Sequence, residues 1–307
     1  MSDVIAIFGP TASGKSAVAE EIARRIPAEL VSADSMQVYR GLPILTNQSQ
    51  ARLAGIWGLD HEASVGEYQE LAHAAIDEIL AAGRTPILVG GTGLYFRAAL
   101  ADLELPPAPA PGERERLERL YDRFGGERTH ELLAKRDPAA AEAVHPNDRR
   151  RVVRALELAE AGSSLRPSAD RLWAGETRHP TLIVGLELPR EELRRRIAER
   201  AREMFERGVE EEVRAALAGP ISPTARHVLG LRELAELPRE EALEPLITRT
   251  SRYAVYQLRW LRRIPGIVSL DGQRPPGELA DAILEMARSR ERLPARGAGG
   301  ARRSADA

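Results

Sequence analysis

Apolar residues recur with two different periods along the first hundred positions. Val4-Ile5-Ala6-Ile7-Phe8 and Pro86-Ile87-Leu88-Val89 are short continuous apolar runs bounded by glycine, the mark of strands buried on both faces. Gly14–Ile26 and a run ending near Ala82 instead carry apolar residues three and four apart, which predicts helices. A short strand is read at Glu29–Ser32, ending at Ala33-Asp34-Ser35, and a loop-rich stretch from Gly41 to about Gly66. Strand and helix alternating in this way predict an α/β fold with a parallel sheet and crossover helices.

The pattern then changes. Leu105–Glu113, "LPPAPAPGE", holds four prolines and marks a boundary, after which a charged helical segment runs to roughly Ala161. Thr181–Leu188 is apolar and β-branched and reads as the chain returning to the sheet. The expected organisation is therefore a core over 1–104, an inserted helical subdomain over 105–179, and core completion with carboxyl-terminal helices over 180–285. In that last part the chain is mostly helical to about Arg263, with a small strand at Ile267–Leu270. A disordered tail is expected over 286–307, where "RGAGGARRSADA" lacks apolar residues to bury.

Composition narrows the chemistry. The chain has no cysteine, which excludes disulfides, thiolate zinc sites and a cysteine nucleophile. No run approaches the length of a membrane span and no secretory leader is seen, so no membrane association and a cytoplasmic location are expected. Net charge is only −2, so overall charge makes no case for nucleic-acid binding. Of 44 basic residues only Lys15 and Lys135 are lysines. A lysine kept in so arginine-rich a chain is informative when it sits in a phosphate loop, where a compact ammonium is wanted.

Gly9-Pro10-Thr11-Ala12-Ser13-Gly14-Lys15-Ser16 has the phosphate-loop spacing directly after a strand and before a helix. Backbone N–H groups there hold anionic oxygens, Lys15 adds a point charge, and the Ser16 hydroxyl is suited to Mg²⁺. An ordinary kinase or ATPase presents an acidic residue after a later apolar strand to organise that metal. Here the later strand ends in Gly90-Gly91-Thr92-Gly93, and the acidic candidate is Asp34, after the second strand. As a general base beside bound phosphates Asp34 makes sense; a turn cap through the Asp-Ser pair is the other reading.

Two further patterns stand out. In "PREELRRRIAERAREMFERG" the stripe Leu193, Ile197, Ala201, Met204 has helical spacing, and Arg200 falls at the edge of that core-facing side. A buried arginine calls for an anion, here the same phosphates; snorkelling along the apolar face is the alternative. Arg150, Arg151 and Arg154 share a face of a helix capped at Asn147, and "TSRYAVYQLRWLRR" interleaves Arg252, Arg259, Arg262 and Arg263 with Tyr253, Tyr256 and Trp260, a mixture suited to phosphates and unpaired bases. Solvated helix faces are the commoner outcome for such runs.

"GPTASGKS", "SADSMQVYRG", Ala81–Leu100, "HPNDRRRVVRALE", "LRRRIAER", "GLREL" and "QLRWLRR" occur in one order from residue 9 to about 263, and together they resemble the bacterial tRNA dimethylallyltransferases. The resemblance implies transfer of a dimethylallyl group from dimethylallyl diphosphate to N6 of the adenine 3′ of the anticodon, in tRNAs reading codons that begin with U, with diphosphate released. It implies that Thr11, Lys15 and Arg200 act with Asp34 in catalysis, that Gly9–Ser16 seats the diphosphate, and that Mg²⁺ at Ser16 assists. Asp34, Ser35, Met36, Gln37, Thr92, Arg114, Arg150, Arg151 and Arg154 match tRNA-facing positions, with Gln37 on the adenine edge, and a monomer is expected. A P-loop nucleotide kinase or ATP-binding protein, and a prenyltransferase acting on free adenine nucleotides, are the alternatives. The chain departs from the family at Leu42–Thr46, in a shortened loop to Tyr68 that keeps only His61, and at Tyr256, where a basic residue is usual.

Overall fold

The computed structural model describes residues 3–105, 112–165, 172 and 174–290. Five strands, β1 (Val4–Phe8), β2 (Ala28–Ser32), β3 (Thr85–Gly90), β4 (Thr181–Glu187) and β5 (Val268–Asp271), form one parallel sheet in the order β2-β3-β1-β4-β5. β1 lies at its centre, every residue buried, because successive side chains enter opposite cores. Ile5 and Ile7 face α1 (Lys15–Arg25) and α11 (Pro276–Arg290), whereas Val4, Ala6 and Phe8 join the larger core with α2 (Val65–Ala81), α3 (Gly93–Leu100), α7 (Arg190–Glu206) and α10 (Arg239–Leu261). Strands sandwiched by helices on both faces must be apolar throughout, which is why alternation is absent from the sequence here.

Between β3 and β4 the chain leaves the sheet to form α4 (Glu113–Arg136), kinked at Gly125, then α5 (Pro138–Ala143) and α6 (Arg149–Glu160). These helices bury their own cluster, including Leu117, Leu133, Val152, Val153 and Leu156. The returning strap is tied to the core by Arg97 of α3, fully buried, whose guanidinium donates to the carbonyls of Leu172, Ala174 and Glu176. α8 (Val209–Leu217) and α9 (Leu231–Glu236) connect α7 to α10.

Two expectations are corrected. The tail does not begin at 286: residues 286–290 complete α11, whose Leu279, Ala280, Ile283, Leu284 and Ala287 pack at helical spacing into the core beside α1. Residues 291–307 of that expected tail lie outside the described residues, as does most of the proline-rich boundary. The cap of α6 is Asp148, not Asn147. Its side chain accepts from Arg151 N at 3.1 Å, while Asn147 N donates to His145 Nδ1. Among the described residues no helix is long and apolar enough to cross a membrane.

Candidate active site

The loop after β1 turns through Ala12 (φ 64) and Gly14 (φ 86), the latter at the amino terminus of α1. Left-handed backbone at Gly14 is open to a residue without Cβ, and it lets the first N–H groups of α1 point at one spot, the physical basis of anion binding. Lys15 Nζ donates to Pro10 O at 3.3 Å, folding the ammonium back over the loop. Burial is the main influence on that ammonium, lowering its pKa to about 8; Asp34 opposes the shift and Arg200 adds to it. Arg200 of α7 donates to the Thr11 hydroxyl, and burial likewise holds its guanidinium below the usual value. Two cations are thus crowded over a short loop, an arrangement that an incoming polyanion relieves.

Asp34 follows β2, an edge strand separated from β1 by β3, yet it comes beside the same loop. The intervening strand end makes this approach feasible. A Cβ at Gly90 would stand 2.1 Å from Ala33 O, and one at Gly91 would stand 2.3 Å from Gln257 Nε2 and 2.8 Å from Gly9 O. Only bare backbone fits between the three strand ends. The exit turn of β2 is then fixed in detail. Asp34 Oδ1 accepts from Met36 N at 3.0 Å, and Thr92 Oγ1 accepts from Ser35 N at 3.1 Å and lies 3.2 Å from Ser35 Oγ and 3.4 Å from Tyr253 OH. One carboxylate oxygen of Asp34 thus caps the turn that follows β2.

Gln257 is a functional residue that sequence reasoning missed. It is 1% exposed, accepts from Thr11 N at 2.8 Å, and donates to Gly91 O at 2.9 Å, so one amide clamps the phosphate loop to the end of β3. A polar residue inside the buried stripe Thr250, Ala254, Gln257, Leu258, Leu261 of α10 was the available signal. Arg196, one turn before Arg200, was also missed. Its Nη1 lies 3.9 Å from where a Gly14 Cβ would stand, and its spacing of four from Arg200 was the signal.

Thr11, Asp34, Met36, Thr46, Arg200, Thr250, Tyr253 and Gln257 line a cavity that opens to solvent. Its remaining wall is apolar, from Leu45, Ile197, Ala201, Met204, Leu229 and Leu246. Leu45 belongs to the divergent stretch 42–46. Glu212 of α8 accepts from Ile44 N at 2.7 Å and Leu45 N at 2.8 Å, holding that turn so that Leu45 completes the wall. The cavity therefore has a cationic, hydrogen-bonding end at the phosphate loop and a greasy end behind α7.

Other candidates lie elsewhere. Gln37 is engaged in the adjoining loop, donating to Thr46 O and Asn47 O and accepting from Ser32 and Ser49. Arg114 bonds Glu157 at 2.9 Å and Glu62 at 2.6 Å, and Arg154 bonds Glu157 at 2.9 Å. Arg150 and Arg151 are exposed at the start of α6. Burial, then Arg150 and Arg249, hold the His227 imidazole below its usual value, so α6 faces the core turn at Ala225–His227. Trp260 is packed where a Gly93 Cβ would stand, 2.0 Å from it, and lies against the larger hydrophobic core.

Among the described residues no group of three or more His, Asp or Glu could hold a metal. A divalent ion fits differently: Ser16, in the first turn of α1, offers a hydroxyl oxygen where a bound diphosphate would supply the rest of a hard oxygen set.

The family model described as IPP transferase matches residues 37–264, and a second, described as Isopentenyl transferase, matches 2–54. A tRNA dimethylallyltransferase of Thermobifida fusca is 40% identical over 306 residues, covering 93% of this chain and 94% of that protein. One from Streptomyces coelicolor is 41% identical over 284 residues, covering 88% and 90%. Among solved structures, the tRNA isopentenylpyrophosphate transferase of Bacillus halodurans is 31% identical with a TM-score of 0.67, covering 95% of this chain and 98% of that one. A eukaryotic dimethylallyltransferase acting on tRNA is 26% identical with a TM-score of 0.75, covering 95% and 80%.

Proposed function

The chain belongs to the IPP transferase family, and from that premise we propose that its cavity binds dimethylallyl diphosphate and passes the dimethylallyl group to N6 of the adenine 3′ of the anticodon in tRNAs reading codons that begin with U. The observation that carries this reading is the two-ended cavity. A nucleotide kinase has no use for six apolar side chains next to its phosphate loop, whereas a prenyl diphosphate needs an anion seat and an apolar wall together.

In the proposed reaction the carbon–oxygen bond of the donor loosens, negative charge grows on the departing diphosphate, and the loop N–H groups, Lys15 and Arg200 hold it more tightly as it forms. Contacts that strengthen toward the transition state lower the barrier, unlike contacts made equally to the substrate. Mg²⁺ held by Ser16 and the diphosphate oxygens would neutralise part of the same charge. Gln257 keeps Thr11 in register with the β3 end. N6 attacks the allylic carbon, and Asp34 accepts the proton that N6 sheds. The apolar wall excludes water that would otherwise capture the allylic carbon. The adenine has to leave its stack to reach Asp34, a cost of a few kcal/mol that protein–RNA contacts must offset. Arg114, Arg150, Arg151 and Arg154, on the insertion, would supply those contacts.

The test is incubation with dimethylallyl diphosphate, Mg²⁺ and an anticodon stem-loop bearing that adenine. Prenylated adenosine and free diphosphate are expected. Hydrolysis of ATP with no RNA product, or faster reaction with AMP than with the stem-loop, would overturn the proposal.

A further inference from the structure

Helix α10 carries two adjoining stripes. Leu246, Thr250, Tyr253 and Gln257, at spacings of four, three and four, line the cavity. One position earlier at successive levels stand Arg249, Arg252 and Tyr256, continued by Arg259, a stripe rotated about 100° around the helix toward the cavity rim. Arg249 is held by Glu233 at 2.7 Å, while Arg252 and Arg259 are exposed. Tyr256 is 50% exposed, which is unusual for a large ring in this chain. Its ring stacks on Tyr253 with centroids 6.2 Å apart and planes inclined by 28°. One face of Tyr256 thus continues an aromatic step that begins inside the cavity, and the rest of the ring is open to solvent between two arginines.

We propose that Tyr256 is a stacking platform for an unpaired base next to the adenine that enters the cavity, with Arg252 and Arg259 on the flanking phosphates. This rests on the proposed function, since it requires an RNA acceptor. When the target adenine swings out of its stack, a neighbouring base loses a stacking partner on one face. An aromatic ring at the rim, one helical turn from the cavity's own tyrosine, supplies a replacement at the place where that neighbour is left. The ring is flanked by the exposed cationic side chains of Arg252 and Arg259, the pairing of stacking surface and positive charge that suits a single-stranded nucleic acid. Because every base presents a π-face, the platform tolerates sequence variation beside the target.

The experiment uses the whole chain and anticodon stem-loops carrying 2-aminopurine on the 5′ or the 3′ side of the target adenine. With the wild type and with Tyr256→Phe, one of the two probes is quenched on binding. With Tyr256→Ala that quenching is lost and KM for the RNA rises roughly tenfold, whereas KM for dimethylallyl diphosphate is unchanged. Equal quenching in all three proteins, or a KM for RNA in Tyr256→Ala within twofold of wild type, overturns the platform. A fall in kcat with quenching intact overturns it too, since the ring would then only support Tyr253. Failure of the proposed function looks different: the wild type itself forms no prenylated RNA, whatever the probes do.

Discussion

At the phosphate loop, Lys15 and Arg200 hydrogen-bond neutral oxygens, the carbonyl of Pro10 and the hydroxyl of Thr11. In the insertion, Arg114 and Arg154 converge on a buried carboxylate, Glu157, and Arg149 reaches Glu118 and Asp122. Both regions are rich in cations, yet only the first holds them under-compensated. Removing their water without supplying an anion raises the free energy of the empty site, and a diphosphate recovers it on binding. Arg114, Arg149 and Arg154 already have carboxylate partners, so an RNA phosphate there exchanges one anion for another and gains little per contact. The first arrangement suits chemistry and the second suits reversible, salt-sensitive docking.

The largest expected effect comes from Asp34, the carboxylate that acts on both Lys15 and Arg200. Asp34→Ala removes the proposed acceptor of the N6 proton, so kcat should fall by about a thousandfold, within the range of general-base losses. Stem-loop affinity, measured by filter binding, stays within a few fold. Comparable loss of both would make Asp34 a binding or folding residue. Next is Arg200→Ala, which removes a contact proposed to strengthen as diphosphate departs; kcat should fall about a hundredfold with a smaller rise in KM for the donor. A rise in KM alone would place Arg200 on the ground state.

How far these residues could be read in advance follows the same division. Gly9–Ser16 and Gly90–Gly93 were legible because backbone geometry leaves few alternatives, with left-handed φ at Gly14 and contacts near 2 Å that any Cβ would make at Gly90 and Gly91, while Arg200 stood out at the edge of an apolar helical stripe and Asp34 as the acidic residue after the second strand. The sheet was legible for the same reason, since strands buried on both faces tolerate only apolar runs. Gln257 was not, because a buried amide gains its meaning from Thr11 and Gly91, 246 and 166 residues away. The apolar wall was not legible either, for Leu45, Leu229 and Leu246 look like any core leucine. Nor could the sequence show that Arg114 pairs with Glu62 and Glu157, because charges on separate elements reveal a partner only once the chain folds.

Lys15 gives a sharper test of the under-compensated site. Its folded pKa, about 8, is depressed from the ordinary lysine value of 10.5 chiefly by burial. The ammonium is therefore lost as pH rises through 8 in the empty enzyme, and the diphosphate binds the charged form. KM for the donor should be flat below pH 7.5 and rise about tenfold per unit above 8, with a proton taken up on binding there. The sign for stability is opposite to that of a paired lysine. The unfolded chain binds the proton more tightly, so folding stability increases between pH 8 and 10.5. A KM flat to pH 9.5 would mean that the ammonium is not under-compensated.

The smallest effect tests the insertion. Arg114 spans two elements: Nε is held by buried Glu157 of α6, Nη1 by Glu62 in the loop before α2. With about half of the Glu62 side chain exposed, this second pair contributes at most about 1 kcal/mol and is screened by salt. If an RNA phosphate replaces Glu62 at Nη1, Glu62→Gln removes a competitor, and stem-loop affinity rises two- to threefold at about 50 mM salt, with no difference near 0.5 M. If Glu62 instead orders the guanidinium for RNA, the same substitution weakens binding at both salt concentrations. Only the first outcome agrees with cations that are already paired and must trade partners to grip the RNA.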